Sequence, residues 1–174
     1  MAAGQVLVGM AEIKVIKGTG QLTCLGLGSC IGLLAYDAES GVCGMAHIML
    51  PEAFKDKPVD KPGKFADTGV PALLAEIEKA GGNIRRLTWV FTGGAQVFKY
   101  GAGTASKLDV GARNGEAVNA HLKKLGARIL AQDIGGTSGR TMVANIETGE
   151  VRVRTVQGGE KTLCQLKRVR AEAA

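Results

Sequence analysis

Two apolar runs separated by a short polar segment constrain the fold of this chain most strongly. Residues 31–36 and 42–50 are almost entirely apolar, and the segment between them, 37–41, has turn-forming residues at both ends. Runs of this length flanking a short turn are typical of buried strands, so they predict a β-hairpin. The chain also contains 26 glycines, which favours tight turns between strands over a helical bundle.

Other short apolar runs predict further strands, at residues 5–10, 13–16, 21–27, 87–91, 128–132, 141–146 and 150–156. Two segments with helical spacing predict helices. The first is capped by Asp67 or Thr68 and ends at Gly81, and the second covers about 111–125 and ends at Gly126. We therefore expect an α+β fold, a layered sandwich of largely antiparallel or mixed β-sheet with two main helices. The length favours one domain, residues 1–174.

The charge of the chain predicts acidic partners. The net charge is +6 and the isoelectric point about 9.3. Nucleic acid is not a predicted partner, because aromatic residues make up only 4% of the chain and single-strand binders stack bases on aromatic rings. The basic residues are dispersed, and the one cluster, 167–170, is interpreted as a solvated strand end or a contact with a partner.

The chain has no recognisable leader and no apolar stretch of membrane-spanning length, so we expect a cytoplasmic protein without membrane insertion. The four cysteines, Cys24, Cys30, Cys43 and Cys164, form no C-x-x-C pair, and no histidine lies at zinc-finger spacing. Neither a metal site nor a disulfide framework is predicted. The glycines of 26–32 partly match a dinucleotide-binding loop, but no helix follows them, so no cofactor is expected.

A cysteine and a histidine near the predicted hairpin are the candidate catalytic residues. Cys30 follows the small residues Gly28 and Ser29, and His47 comes seventeen residues later. Small residues leave the backbone accessible, so N–H groups near Gly28 and Ser29 could stabilise an oxyanion. The histidine could take the thiol proton and return it to a leaving group. The alternative is that Cys30 is a small buried apolar residue and His47 a satisfied core histidine.

The register of the hairpin decides how these two side chains face each other. If Asp37 pairs with Ser40, Cys30 lies opposite His47. If Tyr36 pairs with Val42, Cys30 lies opposite Ile48. A slip of one residue inverts the faces of a strand, so the sequence leaves both registers open.

Several motifs, taken in order along the chain, resemble the CheD family of chemoreceptor glutamine deamidases. They are the segments 25–31, 45–51, 65–68, 93–95, 111–114 and 133–140. The resemblance implies a chemotaxis enzyme, a protein-glutamine glutaminase that hydrolyses glutamine side chains in receptor cytoplasmic helices to glutamate. It also implies a thiol-hydrolase fold similar to toxin-type cysteine deamidase domains.

Carried over residue by residue, the resemblance implies that Cys30 is the nucleophile and His47 the base. The family usually has a threonine six residues before the nucleophile as the third member. This chain has Cys24 there, with Thr23 adjacent. A thiol is a weaker hydrogen-bond partner than a hydroxyl, so Cys24 is expected to orient His47 less firmly. Thr23 should point to the opposite face of its strand and could substitute only through a bulge.

The resemblance also implies partners. The first is the cytoplasmic domain of a chemoreceptor, and the second is a phosphatase of the CheC type that would occupy the same face. A different class of function therefore competes with catalysis, a regulatory binding module with weak or vestigial activity. The departure at Cys24 is the feature that favours this alternative.

Overall fold

The computed structural model describes residues 4–97 and 109–167. Within them lie ten strands: β1 (Gln5–Leu7), β2 (Ile13–Lys17), β3 (Gln21–Leu27), β4 (Ile31–Asp37), β5 (Val42–Ile48), β6 (Thr88–Gly93), β7 (Arg128–Ile134), β8 (Arg140–Asn145), β9 (Glu150–Thr155) and β10 (Gly159–Gln165). The described helices are α1 (Ala66–Lys79) and α2 (Val110–Lys124).

The strands form two mixed sheets of five strands each. The central sheet has the order β2-β5-β4-β6-β7, and the outer sheet has the order β1-β3-β8-β9-β10. Most neighbours are antiparallel, but β1 pairs with β3 and β6 pairs with β7 in parallel. The predicted α+β class, with two sheets and two helices in layers, is confirmed.

Two apolar cores lie on opposite faces of the central sheet. The helix-side core packs one face of β4 and β5 against α1 and α2, with Leu33, Leu73 and Leu122 among its members. The inter-sheet core packs the other face against the outer sheet and contains Leu34, Met45 and Cys24 among others. Because both faces are covered, every residue of β4 and β5 is buried.

The β4–β5 hairpin forms as predicted, but both predicted registers are wrong. Asp37 pairs with Val42, which places His47 opposite Gly32. The reason is a four-residue turn closed at Gly41, whose N–H donates to the Asp37 carbonyl at 2.9 Å. Gly41 has a positive φ of 72°, a conformation that glycine adopts without strain. The two sequence-based registers instead paired Asp37 with Ser40 or Tyr36 with Val42, whereas the structure pairs Tyr36 with Cys43.

The ends of both helices were predicted, but the cap of the first helix was not. Gly81 and Gly126 take positive φ angles just beyond α1 and α2, as predicted for helix stops. The predicted cap of α1 is wrong, because the helix begins at Ala66 and no side chain caps it. The Asp67 carboxylate instead accepts from the Ala53 N–H at 3.0 Å. The acidic side chain therefore anchors the preceding loop rather than the helix terminus.

Strand β10 was not predicted from the sequence. Its exposed, charged residues lack an apolar alternation, and it forms by pairing with β9. The basic cluster 167–170 lies, apart from Lys167, outside the described residues. In the described part of the chain, no helix is long and apolar enough to cross a membrane.

Candidate active site

The loop that carries Cys30 connects the outer sheet to the central sheet, between β3 and β4. Three consecutive carbonyls of this loop are held by neighbouring elements. The Gly28 carbonyl accepts from Ala95 N–H at 2.8 Å, and the Cys30 carbonyl accepts from Gly94 N–H at 2.9 Å. Between them, the Ser29 carbonyl accepts from the Asn114 side chain at 2.9 Å. The loop is therefore fixed through its carbonyl groups.

The N–H groups of Ser29 and Cys30 are left without an acceptor among the described residues. With the carbonyls already bound, these two donors are among the available polar groups of the loop backbone. A pair of fixed N–H groups next to a nucleophile is the arrangement that stabilises a developing oxyanion. The predicted oxyanion residues, Ser29 and Gly28, thus lie in a loop with suitable free donors.

His47 and Cys30 lie on the same face of the central sheet. His47 is directly opposite Gly32 in β4, and Cys30 precedes Gly32 by two residues. The pairing of β4 with β6 continues past Ile31, because the Gly94 N–H donates to the Cys30 carbonyl. Side chains alternate between the two faces along a strand, so Cys30 shares the face of Gly32. Cys30 also packs against the inter-sheet core. The structure therefore brings the thiol and the imidazole to one end of the layer between the sheets.

A backbone carbonyl orients the imidazole of His47. The Nδ1 atom lies 3.1 Å from the carbonyl oxygen of Val8, which follows β1. A carbonyl only accepts hydrogen bonds, so Nδ1 carries the proton and the neutral ring has a bare Nε2. Nε2 is buried and has no partner within the described residues. The nitrogen available to accept a thiol proton is therefore Nε2.

A tight turn, residues 8–12, holds this carbonyl in place. The Glu12 carboxylate accepts from the Gly9 N–H at 2.7 Å, and the Glu12 carbonyl accepts from the His47 N–H at 3.0 Å. Ala11 adopts a positive φ of 66°, which costs a non-glycine residue roughly 1–2 kcal/mol. The strained residue Ala11 therefore lies in the turn whose Val8 carbonyl orients the His47 imidazole.

The environment favours the neutral forms of both side chains. Burial raises the pKa of the Cys30 thiol, although the Ser29 side chain opposes the shift by a hydrogen bond. Burial lowers the pKa of His47, while the Val8 carbonyl and the Glu12 charge oppose this shift. The resting site therefore holds a thiol and a neutral imidazole, and an imidazole in that state can act as a general base.

We expect the acid limb of the kcat/KM profile to lie below pH 6.5, the ordinary pKa of histidine. A lowered pKa keeps the imidazole neutral as the pH falls, so the active form persists further into the acid range than an ordinary histidine allows. Turnover rates between pH 5 and 9 at constant ionic strength measure this limb. A midpoint above the ordinary value would instead show that the Val8 carbonyl and the Glu12 charge outweigh burial at His47.

The third predicted member, Cys24, makes a different contact. Its thiol lies 3.3 Å from the Met45 sulfur in the inter-sheet core. Burial, with a smaller effect of nearby Cys30, raises the pKa of Cys24 to about 12. Thr23 is also buried, and its hydroxyl has no partner within the described ranges. The group that meets Nδ1 is therefore the Val8 carbonyl, and a role for Cys24 in orienting His47 stays a prediction.

Replacements of Cys24 test that role. Because the Val8 carbonyl already orients the ring, we expect Cys24→Thr and Cys24→Ala to keep kcat within about threefold of the parent chain. Both should lower the melting temperature, since the first buries a hydroxyl and the second leaves a void. Parallel measurements of kcat and thermal unfolding separate the two effects. Higher activity of the threonine variant with a large loss in the alanine variant would restore Cys24 as the third member.

A cavity of about 360 Å³ lies next to the segment that Asn114 holds. It lies between residues 50–55 and the start of α2, where Val110 and Arg113 contribute to its lining. Its other lining residues include the apolar Phe54 and the charged Lys55. The cavity begins one residue after Met49, whose carbonyl is bound by Asn114 at 2.8 Å.

Three residues of the site were missed by the sequence analysis: Val8, Glu12 and Asn114. Val8 acts through its backbone, which no side-chain pattern reveals. Glu12 lies in a short turn that the sequence assigned partly to a strand. Asn114 belongs to the segment 111–114, which supported the family resemblance, and that segment was the available signal. In the described part of the chain, no three metal-ligating side chains converge.

Fold and site together give an α+β sandwich with a half-buried loop cysteine and a buried histidine on one face of the central sheet. Comparisons with known proteins identify the family. The family described as CheD chemotactic sensory transduction matches residues 49–155. This chain belongs to the CheD family.

Curated relatives match most of the chain. A protein of Desulforamulus reducens, named probable chemoreceptor glutamine deamidase CheD, is 44% identical over 152 residues, which is 87% of this chain and 91% of the relative. The chemoreceptor glutamine deamidase CheD of Thermotoga maritima is 43% identical over 155 residues, 89% of this chain and 94% of the relative. A match of either length within 174 residues necessarily spans Cys30, His47 and Asn114.

Proposed function

We propose that this protein hydrolyses the side-chain amide of specific glutamines in the cytoplasmic helices of chemoreceptors, giving glutamate and ammonia. The relatives named chemoreceptor glutamine deamidase support the substrate. The observation that carries the chemistry is that the loop residue Cys30 lies two residues before Gly32, the partner of His47 across the β4–β5 pair, and that the buried His47 Nε2 has no partner among the described residues. Such a substrate places the activity in the cytoplasm.

The first half of the reaction forms a thioester. His47 Nε2 takes the proton of the Cys30 thiol as the sulfur attacks the carboxamide carbon of the glutamine. The N–H groups of Ser29 and Cys30 donate to the oxygen as negative charge develops on it. The imidazolium then gives its proton to the nitrogen, the carbon–nitrogen bond breaks, and ammonia leaves. The Val8 carbonyl holds the ring in one tautomer throughout, through the 3.1 Å contact at Nδ1.

The second half restores the enzyme. His47 Nε2 takes a proton from water as the water oxygen attacks the thioester carbon. The carbon–sulfur bond breaks, the proton returns to the Cys30 sulfur, and a glutamate side chain is released. The net reaction consumes one water for each glutamine. Since the same nitrogen receives and returns the proton in both halves, a neutral resting imidazole suits the cycle.

The surface charge supports an encounter with an acidic protein. A net charge of +6 would accelerate association with an acidic receptor helix, and this effect should weaken as salt increases. Long-range charge does not select one glutamine over another, so selection depends on contacts next to Cys30. The cavity at 50–55 is a candidate for such a contact.

The proposal is tested with the full chain and the cytoplasmic fragment of a chemoreceptor from the same organism. The two are incubated together, and peptides of the receptor are examined by mass spectrometry for glutamine converted to glutamate. We expect conversion at a small number of sites, and none with Cys30→Ala. Receptor that binds but remains unmodified at excess enzyme would reject the proposal and favour the regulatory binding module.

A further inference from the structure

Asn114 of α2 links the two segments that carry the candidate catalytic residues. Its Nδ2 donates to the Ser29 carbonyl at 2.9 Å and to the Met49 carbonyl at 2.8 Å. Ser29 directly precedes Cys30, and Met49 lies two residues after His47. These partners are 85 and 65 residues away from Asn114 in sequence. One amide group therefore ties the thiol-bearing loop to the end of the strand that bears the imidazole.

The burial of Asn114 indicates that the amide is present for these two bonds. The residue is 0% exposed, and its Oδ1 is buried with no partner in the described part of the chain. Both carbonyls only accept, so Nδ2 must face them and the orientation of the amide follows. An apolar residue would fill this position without an unpaired acceptor. The two hydrogen bonds from Nδ2 to the Ser29 and Met49 carbonyls therefore offset the free-energy cost of the unpaired Oδ1.

The start of α2 is a rigid support for this link. A Cβ atom on Gly111 would overlap the carbonyls of Gly94 and Ala95. Gly94 and Ala95 are the residues whose N–H groups hold the Cys30 and Gly28 carbonyls. The helix thus packs directly against the segment that fixes the loop, one turn before Asn114 reaches the loop itself.

We propose that Asn114 is a positioning residue that sets the placement of the Cys30 thiol relative to the His47 imidazole, through the Ser29 and Met49 carbonyls. It does not touch the substrate. The proposal rests on the proposed function in one respect, because its kcat measurement requires deamidation of a receptor. Misplacement of a reacting group by about 1 Å can cost roughly 100-fold in rate, so the loss of both bonds should appear in kcat.

The test compares Asn114→Asp with a control variant on the same helix, Val118→Ala. The aspartate has nearly the same shape, but it replaces the amide donor with oxygens that face two carbonyls. Val118 is fully buried one turn further along α2, in the helix-side core. Its truncation should lower the melting temperature and leave both catalytic segments in contact with Asn114. We expect kcat to fall about 100-fold in Asn114→Asp with KM within threefold, and to stay within twofold in Val118→Ala.

A second measurement needs no receptor. The rate at which iodoacetamide alkylates Cys30 in the folded protein, followed from pH 6 to 10, reports the environment of the thiol. Freed from its anchor, the loop should expose Cys30 more, so alkylation at pH 8 should be at least about fivefold faster in Asn114→Asp. Val118→Ala should match the parent chain. This measurement keeps the test of Asn114 separate from the proposed function, because an inactive parent chain would still show the alkylation difference.

If Asn114→Asp does not fold, Asn114→Ser takes its place. The serine hydroxyl can donate one bond, so its kcat should fall about tenfold and its alkylation rate should lie between the parent and a fully released loop. Unchanged kcat and an unchanged alkylation profile in a folded Asn114 variant would overturn the proposal. The proposal would also be overturned if an Asn114 variant lost no more kcat than Val118→Ala does at the same melting temperature. Asn114 would then be a packing residue.

Discussion

The Cys30→Ala variant is expected to lose glutamine deamidation completely while keeping its fold. The substitution removes one sulfur atom from a half-buried loop position, and the hydrogen bonds that fix the loop use backbone carbonyls that alanine retains. The melting temperature should therefore change little. The chemical step has no substitute nucleophile, because Cys24 is buried in the inter-sheet core with its pKa raised to about 12. Receptor turnover and thermal unfolding, measured on the same preparation, check both expectations.

Cys164→Ala is the matched control. Cys164 is also half-buried, and burial raises its pKa to about 11, but it lies in β10 at the edge of the outer sheet. Its replacement should leave turnover unchanged. Residual activity in Cys30→Ala comparable to that of Cys164→Ala would contradict the assignment of Cys30 as the nucleophile. A loss in both variants would indicate a general effect of cysteine replacement on the fold.

The parts of the fold that could be predicted are those dictated by local chemistry. The runs at 31–36 and 42–50 form the central hairpin, because strands covered on both faces are nearly continuous apolar runs. Gly81 and Gly126 ended the helices, because glycine readily adopts the left-handed conformation that closes a helix. In these cases one residue type or one run was sufficient to specify the structure.

The errors arose where two local interactions compete. Asp67 has the chemistry of a helix cap, yet its carboxylate is used by the loop residue Ala53. The hairpin pairs Asp37 with Val42, which neither sequence-based register gave, and the Asp37 side chain is held by contacts around this turn. The Asp37 carboxylate accepts from Ser40 at 2.7 Å and from Arg86 at 2.8 Å, and Arg86 is distant in sequence. No local pattern could include that partner.

The candidate site also has residues that the sequence could identify and supporting groups that it could not. Cys30 and His47 could be proposed from sequence because few residue types can act as nucleophile and base. The group that orients the imidazole could not be proposed by residue type, because it is the backbone carbonyl of Val8. The link through Asn114 depends on three segments that meet only in the folded chain. Side-chain chemistry is visible in a sequence, whereas the geometry that supports it is not.

The second large effect is expected for His47→Asn, which should reduce kcat by several orders of magnitude. An asparagine amide can still donate to the Val8 carbonyl, so the contact that orients residue 47 can be kept in the variant. The variant lacks a basic nitrogen at the position of Nε2, so nothing takes the thiol proton or protonates the departing ammonia. His47→Ala removes both features and should be at least as inactive. The difference in stability between the two variants reports the contact with Val8.

His121→Asn on α2 is the control, since His121 is half-buried in the last turn of that helix, about two turns beyond Asn114. It should retain full turnover. A double variant of Cys30 and His47 should be no less active than Cys30→Ala alone, because residues that act as one unit do not lose rate additively. Turnover of His47→Asn within tenfold of the parent chain would remove the histidine from the mechanism. The free N–H groups of Ser29 and Cys30 would then be the remaining support for catalysis, and His47 would be a core residue satisfied by Val8.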